Sequence, residues 1–280
     1  MLATMLGAAC GPVGSEGDLD PDGGGDDAGS DGSTEPSPKA SVDSGAGDAG
    51  RDAPGDARID GCPAEMARIT DFCVDRYEAH VVTVTDGGAE VPRSPYALIA
   101  DASVRAKSAP DVVPQAYISQ VEASAACAAA GKRLCSAEEF ALACRGADAG
   151  AYYPYGGTTY VPGRCNEGKG SYVGLLFGPN PANWTYANFN DPRLNQIDGG
   201  LAKTGSYAGC KSPYGVYDCV GNLHEWGSDP PDGRGRARFR GGFYGDAERN
   251  GRGCLYVTSA HEPTYHDYST GFRCCMEAGR

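Results

Sequence analysis

Eleven cysteines between Cys62 and Cys275 constrain this chain more than any other feature of its sequence. They stand at 62, 73, 127, 135, 144, 165, 210, 219, 254, 274 and 275. None makes a paired CxxC knuckle of the kind that holds zinc. Reducing compartments rarely tolerate disulfides at such density, so the pattern predicts a disulfide-braced, exported domain rather than a metal-binding one.

The segment before this domain is of another kind. Glu16 to Asp60 holds 13 acidic residues against Lys39, Arg51 and Arg58, which accounts for −10 of the chain's net charge of −13. The part from Gly61 onward is close to neutral and offers no basic face, which argues against nucleic-acid binding. Residues 11–60 are Gly, Asp, Ser, Ala and Pro with few large apolar side chains. Such a composition buries too little surface to offset the entropy of ordering, so a disordered linker is expected. Its charges repel and extend it, and a spacer is the plainer role beside that of a binding tail. The folded domain is therefore placed at 61–280.

Residues 1–10, MLATMLGAAC, are apolar and end in small residues before Cys10. They resemble the end of a bacterial lipoprotein signal, in which Cys10 would carry the lipid. Ordinary secretion is the alternative. The expected location is the outer membrane or cell surface, with membrane contact only through that anchor. No stretch is long enough to span a bilayer.

Within the domain, ITDFCVDRYEAHVVTV predicts strands through its β-branched and aromatic residues. The stretch 114–130 predicts a helix with Ile118, Val121, Ala125 and Cys127 on its buried stripe and Gly131 at its end. Ser136 and Glu139 form a capping box for a second helix that carries Phe140, Ala143 and Cys144 inward and ends near Gly146. Residues 150–212 are rich in Gly, Asn, Pro and Tyr and show few regular periods. Tyr152, Tyr153, Tyr155, Tyr160, Tyr172 and Tyr186 gather there, and suit either a binding surface or the core.

Several blocks carry a resemblance. FCVDRYE, AGKRLCSAEEFALACRG, SPYGVYDCVGNLHEWGSD, RFRGGFYGDAERNGRGC and GFRCC resemble, in this order, segments of the formylglycine-generating enzyme (sulfatase-modifying factor) family. The resemblance covers roughly 65–275. It implies an α+β fold, a variant of the C-type lectin fold with little regular secondary structure, held by calcium and disulfides. It implies bridges Cys127–Cys274 and Cys144–Cys254. Cys135–Cys165 is a further expected pair. It also implies a calcium site with side-chain oxygens from Asp218 and Glu225 and carbonyls from Gly221 and Leu223. A second set joins Asn166 and Glu167 on one loop to Asp198 and Gly200 on another.

The family's oxidases bind copper through two cysteines that follow the Gly-Gly-x-Tyr turn. The same offsets from Gly241, Gly242 and Tyr244 fall here on Asp246 and Gly251. Copper(I) needs soft thiolates; Asp246 is a hard oxygen ligand and Gly251 has no side chain. Catalytic copper is therefore not expected, and calcium would be structural. Asp246, Glu248, His261 and Asp267 could gather as a polar cluster in its place. The expected function is non-catalytic binding of a protein, peptide or glycan. The alternative is a formylglycine-generating oxidase, or a related metal-dependent oxidoreductase, acting on a protein cysteine.

Overall fold

The computed structural model describes residues 61–100, 103–259 and 261–279. The expectations for Cys10, the signal and the linker lie outside these residues. Three small sheets and a few short helices make an α+β architecture. The first sheet runs β1-β2-β11-β6, from Met66–Ile69, Phe72–Asp75, Cys274–Glu277 and Arg133–Leu134, all antiparallel. Its centre is thus one N-terminal and one C-terminal strand, with Val74 opposite Cys275. The second runs β10-β7-β8-β9, from Thr270–Phe272, His224–Trp226, Phe239–Arg240 and Val257–Thr258. Its β10–β7 pair is parallel and aligns Gly271 with Glu225. The third is β4-β3-β5, from Glu90–Pro92, Ala79–Val84 and Val104–Ser108.

Helix α1 spans Gln120–Ala129 and starts later than the expected 114–130. The Ser119 hydroxyl accepts from Glu122 N–H, and the Glu122 carboxylate accepts from Ser119 N–H. This reciprocal cap sets the start, because a residue bonded this way takes extended dihedrals. The buried stripe is also not the expected one. Ala123, Ala126 and Cys127 face inward, Ile118 is buried ahead of the helix, and Val121 is 54% exposed. Helix α2, Ala137–Arg145, has the expected Ser136/Glu139 box and buries Phe140, Ala143 and Cys144. The stretch from 150 to 212 holds two short helices, α3 (Tyr172–Phe177) and α4 (Tyr186–Phe189), among turns.

Five disulfides brace this sparse framework: Cys62–Cys73, Cys127–Cys274, Cys135–Cys275, Cys144–Cys254 and Cys165–Cys210. The two that the family resemblance implied are present. The expected Cys135–Cys165 is not. Leu134 lies opposite Cys274 across β6 and β11, which brings Cys135 to Cys275, and Cys165 instead joins the loop carrying Cys210. Cys127–Cys274 and Cys144–Cys254 close separations of 147 and 110 residues. For loops of this length the chain-entropy model gives roughly 4–5 kcal/mol each, often less in practice. They tie α1 to β11 and α2 to the turn before β9, so both helices are fastened to the C-terminal third.

Candidate functional site

The region expected to hold the chemistry is the turn after β8. Gly242 has φ +73°, and a side chain there would place its Cβ 2.4 Å from the Ala247 Cα. The turn closes through Phe243 N–H to the Asp246 carbonyl and Asp246 N–H to the Phe243 carbonyl, at 2.9 and 3.0 Å. The Asp246 carboxylate accepts from the backbone N–H groups of Glu248 and Arg249, both at 3.1 Å. It therefore works as a turn-former, a role that a thiol fills poorly.

Gly251 is more restrictive still. Its φ is +107°, and a Cβ there would stand 2.5 Å from the Leu255 carbonyl oxygen. Real Cβ atoms do not approach backbone so closely, so a cysteine at 251 would need the Leu255 backbone to move. Cys254, the nearest cysteine in sequence, is bonded to Cys144, and its N–H donates to the Tyr152 carbonyl at 2.7 Å. Among the described residues the free cysteine is Cys219, which is buried. Burial pushes its thiol up to about 12, away from the reactive thiolate.

Beneath the turn lies a buried polar chain. The Ser269 hydroxyl donates to Asp267 at 2.7 Å, so it accepts from His224 Nδ1 at 3.1 Å. His224 Nε2 then accepts from the Tyr256 hydroxyl at 3.3 Å, and Tyr256 accepts from Asn250. Burial, with His261 nearby, pushes His224 down to about 3, so the ring is neutral across the physiological range. The cluster expected from Asp246, Glu248, His261 and Asp267 splits in two. His261 stacks on Tyr265 at 3.6 Å, and the Tyr265 hydroxyl donates to Asp267 at 2.6 Å. Glu248 instead accepts from the Tyr153 hydroxyl at 2.6 Å.

The first expected calcium set lies deep in the core. Asp218 and Glu225 are both buried, but Glu225 already has a partner. Arg273 reaches it with two hydrogen bonds, Nε to Oε2 at 2.5 Å and Nη2 to Oε1 at 2.6 Å. Two further guanidinium donors go to the carbonyls of Asp75 and Tyr217. Asp218 accepts from Gly205 N–H at 2.6 Å. Gly221 pairs with Asn166 as an isolated bridge, and its N–H donates to the Gly241 carbonyl. Leu223 N–H donates to Glu78, which also accepts from the Asn222 amide. Both Glu225 oxygens thus accept from an internal cation, Arg273. Burial raises the carboxyls of Glu78 and Asp218, the latter to about 6, despite the nearby Arg273.

The second set does bring its two loops together. The Asn166 amide donates to the Gly200 carbonyl at 3.0 Å and to Asn222 at 2.7 Å. Its Oδ1 is buried without a hydrogen-bond partner, which leaves an oxygen suited to a hard cation. Asp198 is exposed. The Glu167 carboxyl feels the charges of Glu248 and Asp246. Within this second set the structure brings Asn166 and Gly200 together, and Asn166 Oδ1 is the oxygen left without a partner. No group of three His, Cys, Asp or Glu side chains placed to hold a metal ion occurs among the described residues.

Reading the sequence missed Glu78 and Arg273, the two groups that organise this core. Each is charged and flanked by strand-like runs, in RYEAHVV and TGFRCC, and that placement is the signal that marks them.

Fold and site together define a disulfide-braced α+β domain whose turn after β8 is followed by Asp246 and Gly251. A family model for the sulfatase-modifying factor enzyme 1-like domain matches residues 30–278, and the chain belongs to that family. It is 27% identical over 176 residues to the inactive C-alpha-formylglycine-generating enzyme 2 of Mus musculus, covering 60% of this chain and 50% of that one. The protein of the same description from Bos taurus is 27% identical over 174 residues, covering 60% and 51%. The chain thus spans about half the length of the curated relatives it matches. Among solved structures it is similar to the Major Tropism Determinant I1 variant, with TM-score 0.45 and 14% identity over 78% of this chain and 53% of that one. The U1 variant gives 0.44 and 15% at the same coverage.

Proposed function

We propose that this chain is a non-catalytic member of its family, an exported domain that binds a protein, peptide or glycan. The observation that carries the reading is the backbone at Gly251, where a Cβ would meet the Leu255 carbonyl at 2.5 Å. An oxidase would need a thiol there. Asp246 supports it, because its carboxylate is spent on the turn. The relatives described as inactive point the same way. Five disulfides favour an oxidising compartment, and hence export. Family membership and sparse secondary structure support the formylglycine-generating variant of the C-type lectin fold. Calcium, where present, would be held through Asn166 Oδ1 and would order the loops that meet at Gly200.

The test is a peptide containing Cys-x-Pro-x-Arg, incubated with the protein, copper and oxygen and followed by mass. No formylglycine should form. The double variant Asp246→Cys/Gly251→Cys should also remain inactive, because the 251 backbone must move before a thiol can be placed. Turnover by the wild type, resistant to removal of contaminating metal, would overturn the reading. Binding is tested separately by nuclear magnetic resonance titration with the Ser-x-Pro-x-Arg form of the peptide and by a glycan array. Localised shift changes or saturable glycan binding are expected, and silence in both would remove the binding role.

A further inference from the structure

The most anomalous side chain in the described structure is Glu167. The residue is 6% exposed, and both carboxylate oxygens are buried without a hydrogen-bond partner. Its backbone is held firmly: the Cys165–Cys210 disulfide stands two residues away, and Asn166 bridges to Gly221. The side chain is therefore carried to this place by a rigid loop. A buried carboxylate with no donor is costly unless a proton or a cation compensates it. Its neighbours make the position worse. Burial first, then the negative charges of Glu248 and Asp246, push its carboxyl up to about 7. The loop also lies against the turn after β8: Lys169 N–H donates to the Tyr244 carbonyl at 3.0 Å and Gly170 N–H to the Gly245 carbonyl at 3.2 Å.

Three tyrosines, Tyr153, Tyr155 and Tyr160, surround this carboxyl closely enough to feel its charge. None donates to it. The Tyr153 hydroxyl donates to Glu248 Oε1 at 2.6 Å, and Arg252 stands 3.8 Å from Glu248 Oε2. The Glu248 side chain is 39% exposed, so it can turn without disturbing the core.

We propose that Glu167 and Glu248 hold a hard divalent cation between the loop after Cys165 and the turn that carries Asp246, at a position distinct from Asn166 Oδ1. The donors are oxygens throughout, which selects calcium or magnesium over softer metals. The Glu167 oxygens lie below the surface, which favours a compact ion over a bulky organic ammonium. As no three His, Cys, Asp or Glu side chains among the described residues are placed to hold an ion together, the site uses two carboxylates, with water or carbonyl oxygens in the remaining positions. The ion would bind the loop after Cys165 to the turn after β8.

Terbium(III) reports on such a site, because nearby tyrosines sensitise its luminescence. The full chain should show saturable tyrosine-excited terbium emission that calcium or magnesium displaces, and the more effective competitor identifies the native ion. Glu167→Gln should weaken terbium at least tenfold, and Glu248→Gln, whose amide oxygen can still accept from Tyr153, should weaken it too. Asn166→Ala should leave this emission in place. Absence of sensitised emission, or emission unchanged in both glutamine variants, overturns the proposal. Emission lost in Asn166→Ala but kept in Glu167→Gln overturns it too, and places the ion at the other loop pair. None of these outcomes depends on whether the chain oxidises cysteine.

Discussion

At the scale of single residues, burial decides what each titratable group can do. Cys219 lies in a core cluster with Cys144, Cys165, Cys210 and Cys254, yet it is the thiol left unpaired among the described residues. With burial pushing it up to about 12, it should resist alkylation in the native state. After unfolding without reductant, mass spectrometry of the 61–280 peptides should find label on Cys219 alone. Label on any other of these cysteines would show that a bridge is open. His224 makes a statement about pH. An unfolded histidine takes up its proton near pH 6.5, whereas the folded one stays neutral down to about 3. The unfolded state therefore gains protons first as pH falls, and the stabilisation from a neutral His224 is lost progressively between about pH 6.5 and 3. The melting temperature of the wild type should drop more between pH 7 and pH 4 than that of His224→Gln. An equal drop in both proteins would show that other groups govern the acid limb.

At the scale of elements, α1 shows how much of a helix its cap controls. The 114–130 stretch is rich in alanine, and periodicity alone does not say where the helix begins. Ser119 and Glu122 decide it, because their reciprocal bonds satisfy N–H groups that the helix leaves unpaired. Ser119→Ala should cost about 1 kcal/mol in denaturant unfolding. Val121→Lys should be within about 0.5 kcal/mol of wild type, because Val121 is exposed on the outer face. A large loss at Val121 would mean that this face is covered. The same element also shows the limit of a stripe drawn by eye. Alanines occupy both faces of α1, so they carry little orientation, and it is the Cys127–Cys274 bridge that turns the helix inward.

At the scale of the whole molecule, stability is shared between cross-links and a buried ionic core. Asp75, Glu78, Asp218 and Glu225 are buried beside Arg273, with Lys132 at 2.7 Å from Asp75. Four buried carboxyls face two cations here, and burial raises all four, which favours a retained proton over an uncompensated charge. A ligand that binds only the folded state raises the melting temperature by mass action. Calcium acting through Asn166 Oδ1 should therefore raise it, chelation should lower it, and Asn166→Ala should remove that part of the response. Glu225→Gln should destabilise the protein without altering the calcium response, because Arg273 already holds that carboxylate. A calcium response lost in Glu225→Gln and retained in Asn166→Ala would reverse this assignment of the ligands.

The sequence by itself determined what depends on local chemistry and on motifs. The helix caps at Ser136 and Glu139, the family, the two long-range bridges and the absence of cysteine at 246 and 251 are all legible in the order of residues. Those features need only near neighbours or a spacing shared with relatives. The tertiary structure alone decided the rest. Arg273 meets Glu225 from 48 residues away, and Cys135 meets Cys275 across 140. The direction of Glu167 and the crowding at Gly251 depend on which loops come to lie against them. Charges and cysteines far apart in sequence can pair in many ways, and packing selects among them only when the strands of the first and last segments have come together.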